Sequence, residues 1–327
     1  MHKIHVLFLT TLPLLLFVSC KQSKYTQVNT IAKKEIRFSF YNVENLFDAV
    51  DDPKVNDNDF TPTGKYKWTT KNYKTKLNNI SKVINELDAD VVGLAEIENE
   101  QVIIDLIAKL KPESKYKYIH YESHDKRGID VALLYKATTF EFLESTELEA
   151  KLKNGKFAGP RDILKTTFKY NKSNFCIYVN HWPSRKLDRV SHRIAYSYTI
   201  QEDIKTNLSD CIVVMGDFND TPQDSSLKNM VHNTGLKNPF ESYPHLDKGT
   251  TTYNNKWLLF DQILYKISNT FTLSSFTINN FEYLKLNSLK KSKKSSFPRR
   301  HIIGARIDEH GYSDHFPVSL EIKTGLE

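Results

Sequence analysis

Eight polar residues in this chain combine types that could act together on one reaction: Asn42, Glu96, His181, Asp217, Asn219, Asp261, Asp314 and His315. Most follow directly on short apolar runs: FYNVEN, VVGLAEIEN, YVNHWPSR and VVMGDFND. The others lie in LLFDQILY and GYSDHFPV. Carboxylate and amide oxygens are the ligands a hard divalent cation takes. Glu96, Asp314 and Asn42 offer them. Asp217 and Asn219 are two apart, so on an extended strand they point the same way and can hold a water against an electrophile. A histidine with a buried acidic partner is a charge-stabilised donor. Together these types fit in-line attack of water on a phosphoryl centre, with metal and imidazole neutralising the developing charge.

Such residues need a scaffold that gathers them, and the apolar pattern predicts one. Alternation marks Ile36–Asn42 as a strand. Leu77, Ile80, Val83, Ile84 and Leu87 form the stripe of an amphipathic helix over Lys71–Leu87. Further strands are expected at Asp90–Ala95, Tyr116–Tyr121, Asp130–Tyr135, Glu141–Glu149, Ile163–Tyr170, Phe175–Asn180, Cys211–Gly216, Trp257–Tyr265 and His315–Ile322. Helices are expected at Val102–Leu110 and Arg185–Leu208. Strands alternate with helices early and dominate later, so the class is mixed α/β or α+β. In open α/β sheets, sites form at the carboxyl ends of strands, where most of these residues fall. Asp48–Trp68 reads as a polar loop, without the regular acidic spacing of a calcium loop.

The ordered set FYNVEN, GLAEIEN, NHWPSR, GDFND, DQILY and SDHFPV resembles the endonuclease/exonuclease/phosphatase superfamily, from about Ile36 to Ile322. The resemblance implies a four-layer sandwich: two packed mixed β-sheets flanked by helices, in one catalytic domain over 35–325. It implies a Mg²⁺- or Mn²⁺-dependent phosphoester hydrolase. By motif, Glu96 is similar to the family's metal-binding Glu, with Ala95 where the family commonly has Gln, and Glu98 competes for that role. Asn42 is similar to the Asn that orients metal and phosphate. Asp217 resembles the Asp that activates water, and Asn219 its transition-state partner. His315 resembles the catalytic His, Asp261 its acidic partner, and Asp314 the metal or outer ligand before it. His181 is similar to the second His of the pancreatic-deoxyribonuclease branch, with Asp130 to orient it. Arg161 resembles that branch's phosphate-contacting Arg, and Arg185 offers a second clamp.

Composition limits the remaining choices. The 327 residues carry 39% hydrophobic and 26% charged residues, which excludes a disordered chain and a polytopic membrane protein. Three cysteines exclude a disulfide scaffold and a four-cysteine zinc site. Cys176 and Cys211 lie in apolar strand-like runs and are expected as buried free thiols. Met1–His5 followed by apolar residues to Val18, then Ser19-Cys20, resembles a bacterial lipoprotein signal. Residues 1–19 are expected to be removed, Cys20 lipidated and 20–34 to act as a tether. That places an exported monomer on a membrane through its lipid anchor. Net charge is +7, and Lys285–Arg306 holds eight basic residues and no acid. This favours an anionic partner, nucleic acid first. A lipid or inositol phosphodiesterase of sphingomyelinase type is the alternative, and a non-catalytic binding protein on the same fold the third reading.

Overall fold

A computed structural model describes residues 35–186, 189–243, 248–287 and 296–325. The signal segment, Cys20 and the tether lie outside the described residues, as does the KKSKK run.

The chain runs β1 (Glu35–Leu46), α1 (Thr70–Leu87), β2 (Val91–Ile97), α2 (Glu100–Ile107), β3 (Tyr116–His120), β4 (Asp130–Lys136), β5 (Glu141–Leu148), β6 (Ile163–Tyr170) and β7 (Ser173–His181). It continues with α3 (Val190–Lys205), β8 (Cys211–Asp217), α4 (Ser225–Thr234), β9 (Thr251–Tyr253), β10 (Lys256–Leu258), β11 (Asp261–Ile267) and β12 (Phe271–Ile278). Four short pairing segments and a final strand close it: β13 (Lys285–Asn287), β14 (Ser296–Pro298), β15 (Ile302–Ile303), β16 (Arg306–Ile307) and β17 (Val318–Thr324).

Two sheets form the centre. The first has the order β12-β17-β1-β2-β4-β3 and the second β11-β8-β7-β6-β5. Each holds one parallel pair, β1 with β2 and β7 with β8. A parallel pair needs a crossover, and α1 and α3 supply them. The period-2 pattern of the second sheet shows why there are four layers. Ile177, Val179, Val213, Met215 and Ile263 face the first sheet, while Tyr178, Ile212, Val214 and Leu264 pack with Ile200, Leu227 and Met230 of α3 and α4. On the far side, Leu77, Ile80 and Ile84 of α1 belong to the same buried cluster as the first sheet, against which α1 packs. The sheets approach closely at Gly93, where an added Cβ would sit 2.7 Å from the Met215 sulfur.

α1 begins in a capping box, with Thr69 and Asn72 satisfying each other's backbone N–H, and ends at Asp88 in the left-handed region. Cys176 and Cys211 are buried free thiols, as expected.

Three boundaries differ from the sequence reading. The helix expected from Arg185 starts at Val190, because Arg185 is drawn into the preceding turn. Trp257–Tyr265 divides into β10 and β11 at Leu259–Phe260. The last strand starts at Val318, after Pro317, which has no N–H to donate to a ladder. His315 instead makes an isolated bridge with Thr251.

Candidate active site

Register builds the first half of the site. At the ends of three neighbouring strands, Asp217 of β8 stands opposite Asp261 of β11 on one side and His181 of β7 on the other. Directly opposed residues share a face, so all three project together. Asn219 follows in a turn with φ 50°. It does not share Asp217's face by strand alternation, as its spacing suggested. Its backbone N–H donates to Asp217 Oδ1 at 2.9 Å, and its amide donates to the Trp182 carbonyl at 3.0 Å.

The other half comes from the first sheet. Asn42 Nδ2 donates to Asp217 Oδ2 at 3.1 Å and lies 3.4 Å from Glu96 Oε1. Its amide oxygen takes the Glu44 N–H at 3.0 Å. Asn42 therefore faces the carboxylates with its amide N–H, while its oxygen, the ligand atom expected from sequence, accepts the Glu44 N–H. Glu96 has φ 66°, and its Oε2 accepts the Asn45 N–H at 2.9 Å. The loop before β17 brings His315 between the sheets. Ser313 pins it by donating to the Asn42 carbonyl at 2.6 Å and accepting the His315 N–H at 3.0 Å. His315 Nδ1 meets Asp261 Oδ2 at 2.7 Å. Its Nε2 is 3.9 Å from both Asp217 Oδ2 and Asp314 Oδ1. His181 Nε2 lies 3.8 Å from Asp217 Oδ2 and 3.9 Å from Glu96 Oε1.

Burial then sorts the protonation states. Burial opposes charge on His315, but Asp261, Asp217 and Asp314 outweigh it and hold the imidazolium well above the usual range. His181 moves the other way, because burial and the guanidiniums of Arg161 and Arg127 disfavour its cation. Asp217 is pushed up to about 7, first by burial and, against the pull of His315, by the Asp261 carboxylate. One charged and one neutral imidazole thus flank a carboxylate poised near neutrality. Separated proton affinities of this kind mark acid and base roles.

The remaining candidates fall in different places. Asp314 is reached by Arg300 at 3.1 Å. Arg161 is buried, and its guanidinium is occupied by the carbonyls of His181 (3.1 Å) and Trp182 (3.3 Å) and by Asp125. It holds the backbone of the site. Asp130 does not orient His181. It meets His120 at 2.9 Å and accepts the Ser123 N–H at 2.9 Å. Together with Glu122 these form a second grouping of one imidazole and two carboxylates. Arg185 donates to the Asn219 carbonyl at 2.9 Å and pairs with Asp220 and Asp224. Glu98 is buried beneath the Asp48–Trp68 loop, takes the Asp48 N–H at 2.6 Å, and is raised to about 8 by burial and the acids of that loop.

Four residues at the site carried no sequence signal by themselves. Arg127 has a side chain 56% exposed, is held by Asp125 through Nε (3.2 Å) and Nη2 (3.1 Å), and lies close enough to disfavour the His181 cation, while Glu96 supports its own charge. Arg127, unlike Arg161, is a guanidinium open to solvent at the site. Glu44 is buried and accepts from Arg300 at 3.0 Å and from the His301 N–H at 2.7 Å. Lys76 is fully buried in α1 and donates to the Tyr312 carbonyl at 2.6 Å. Arg300 links Glu44 to Asp314.

Glu96 Oε1 lies 3.9 Å from His181 Nε2 and Asp314 Oδ1 3.9 Å from His315 Nε2, and carboxylate oxygens of this kind suit a divalent cation of the magnesium type. His315, held as a cation by Asp261, is a hydrogen-bond donor there.

Residues 37–324 match the sequence profile of the Endonuclease/Exonuclease/phosphatase family. No curated protein sequence matches the chain. Among solved structures, the fold is similar to an endonuclease/exonuclease/phosphatase family protein from Bacteroides thetaiotaomicron, at 18% identity, 89% of this chain, 96% of that one and a TM-score of 0.60. It is also similar to the mannosyl-6-phosphatase Bt3783 of the same organism, at 19% identity, 88% of this chain, 99% of the other and a TM-score of 0.59. The structure of zebrafish (D. rerio) TDP2 with a single-strand DNA product aligns at 16% identity over 89% of this chain and all of the other, with a TM-score of 0.57.

Proposed function

The chain belongs to the endonuclease/exonuclease/phosphatase family, and from that premise we propose that it is a metal-dependent phosphodiesterase acting on nucleic acid. Members of the family hydrolyse phosphoester bonds. The observation that carries the reading is the convergence of His315–Asp261, Asp217, Asn219, Asn42 and His181 from both sheets on one position.

Asp217, with an affinity near neutrality, takes the proton of the attacking water as the new P–O bond forms and the ester P–O bond breaks in line. The Asn219 N–H and the Asn42 amide hold that carboxylate in place. Asp261 keeps His315 charged, so Nε2–H faces the phosphoryl oxygens as negative charge builds there. His181, neutral, donates from Nε2 to the same group. Arg127 supplies a further charge from the open side. A divalent cation between Glu96 and Asp314 would polarise the phosphoryl oxygens and neutralise charge there.

Nucleic acid is supported by the +7 charge and the basic stretch Lys285–Arg306, of which Arg300 reaches Asp314 at the site. The single-strand DNA product on TDP2 is consistent with it. We further propose export and lipidation at Cys20, with residues 20–34 as tether, on the signal-like N-terminus. Loss of a lipid mass increment in Cys20→Ala tests that.

The activity is tested with Mg²⁺ and plasmid DNA, beside sphingomyelin and bis-p-nitrophenyl phosphate, each against Asp217→Asn. Nicking of DNA that disappears in the variant is expected. Turnover of sphingomyelin alone would overturn the nucleic-acid reading and leave the phosphodiester chemistry.

A further inference from the structure

A two-stranded hairpin rises beside His315. Its strands are β9 and β10, and its turn residues Asn254 and Asn255 have φ of 49° and 60°. Positive φ at both central positions is the geometry that continues strand twist through a tight turn. The base of the hairpin is tied to the site. Thr251 bridges to His315, its hydroxyl donates to the Asp314 carbonyl at 2.8 Å, and the Phe316 N–H donates to the Thr250 carbonyl at 2.7 Å.

The two faces of the hairpin differ. Thr252 and Trp257 are paired on one face, where Trp257 stacks on Phe316 at 6.0 Å and meets Phe297 at 5.5 Å. That face is anchored. Side chains alternate along a strand, so Thr251 and Tyr253 share the other face, with Lys256 directly opposite Tyr253. Tyr253 is 70% exposed. Two residues beyond the bridge to His315 place it about 7 Å further along the strand. Lys256 is exposed beside it, and Arg300, with a side chain 49% exposed, lies against Asp314 at the hairpin's base. An uncovered aromatic ring directly opposite a cation, fixed to the site by backbone bonds, suits a ligand that is flat and anionic in alternation.

We propose that the β9–β10 hairpin is a stacking platform for a base of a single-stranded nucleic acid, with a flanking phosphate meeting Lys256. This rests on the nucleic-acid reading of the active site and adds where the strand lies.

The test uses the full chain carrying Asp217→Asn, so that binding is read without cleavage. A fluorescein-labelled single-stranded oligonucleotide is titrated against this protein and against the same protein with Tyr253→Ala, Tyr253→Phe or Lys256→Ala. Loss of one stacked base is expected to weaken binding about 10-fold for Tyr253→Ala, while Tyr253→Phe retains it. Lys256→Ala is expected to lower the slope of log affinity against log salt by about 1. In the enzyme with Asp217 intact, Tyr253→Ala should cost at least ten times more on the oligonucleotide than on bis-p-nitrophenyl phosphate. Oligonucleotide binding unaffected by Tyr253→Ala overturns the platform alone. Loss of binding to phosphatidylglycerol vesicles in Tyr253→Ala, with oligonucleotide binding intact, overturns it in favour of a lipid surface. Absence of any oligonucleotide binding by the Asp217→Asn chain overturns the underlying nucleic-acid reading as well.

Discussion

Among the described residues, two groupings combine one imidazole with two carboxylates, Asp217–Asp261–His315 and His120–Glu122–Asp130. Their residue types are nearly the same and their surroundings are not. The first is buried throughout and drawn from two strands and a loop, with Asn42 of the opposite sheet donating into it at 3.1 Å. The second sits on β3, the loop after it and β4 of one sheet, with Glu122 of that loop open to solvent and Asp130 taking the Ser123 N–H. Donors from both sheets converge on the first and leave a position for a reacting group. In the second, the Asp130 carboxylate is used to fasten β3 and its following loop to β4. Composition makes a cluster, and convergence makes a site.

The widest separation between the two should appear on metal removal. EDTA is expected to abolish phosphodiester hydrolysis, and Mg²⁺ or Mn²⁺ to restore it. Calorimetric titration should show weaker metal binding in Glu96→Gln, whereas Glu122→Gln should bind as the parent does. Full activity in EDTA would break the metal assignment.

Next in size are the protein groups themselves. Asp217→Ala and His315→Ala should each lower the rate by at least about 10²-fold, the scale of one general base or one charge-stabilising donor. His120→Ala should leave the rate within about 3-fold and instead destabilise the fold by about 1–3 kcal/mol, because Asp130 is left buried without its partner. Denaturant unfolding and initial rates measured on the same preparations separate the two effects. Equal rate losses at His120 and His315 would erase the distinction.

A third expectation concerns pH. Below about 7, Asp217 takes up a proton and stops serving as a base, so the rate falls on the acid side. On the alkaline side it falls as His315 loses the proton that Asp261 holds. Asp261→Asn removes that hold, lowers the proton affinity of His315, and should move the alkaline fall toward neutrality. An unmoved profile would mean that the imidazolium is not the titrating group.

The smallest effect belongs to a third histidine. His301 is buried against Trp68 at 5.5 Å and held near 3, by burial first and Lys76 second. Its folded affinity is lower than its unfolded one, so the unfolded chain binds more protons. Its contribution is present above 6.5 and is lost as pH falls toward 3. Melting temperature should therefore fall with pH over that window, less steeply in His301→Asn.

Much of this was legible in the sequence because the site residues sit at ends of apolar runs. Strand periodicity placed Asn42, His181 and Asp217, and motif order supplied Asp261, Asp314 and His315. What could not be read depends on packing between distant segments. Lys76 looks like one more lysine in KYKWTTKNYKTKLNN, yet it is fully buried, and burial lowers its proton affinity to about 8 against the pull of Glu44 and Asp314. Arg127 reaches the site because Asp125 grips it, and Asp125 in turn is held by Arg161 from a segment 36 residues away. Motif order pointed to Arg161, yet burial makes it the fastener and leaves Arg127 as the guanidinium open to solvent. Helix α4 was missed because SSLKNMVHNT is short and polar, and its apolar positions matter only against α3.

The row His181–Asp217–Asp261 lies straight across three adjacent strands, one residue from each. Strand side chains alternate faces with every residue, so deleting or inserting a single residue within β8 would turn Asp217 away from both neighbours while leaving its apolar character almost unchanged. Such a length change would spare composition and hydropathy and still remove the chemistry. Length is therefore constrained in β7, β8 and β11 more tightly than residue identity is. Variation in chain length must be accommodated at their other ends and in the surface loops, where the alignment of that row is unaffected.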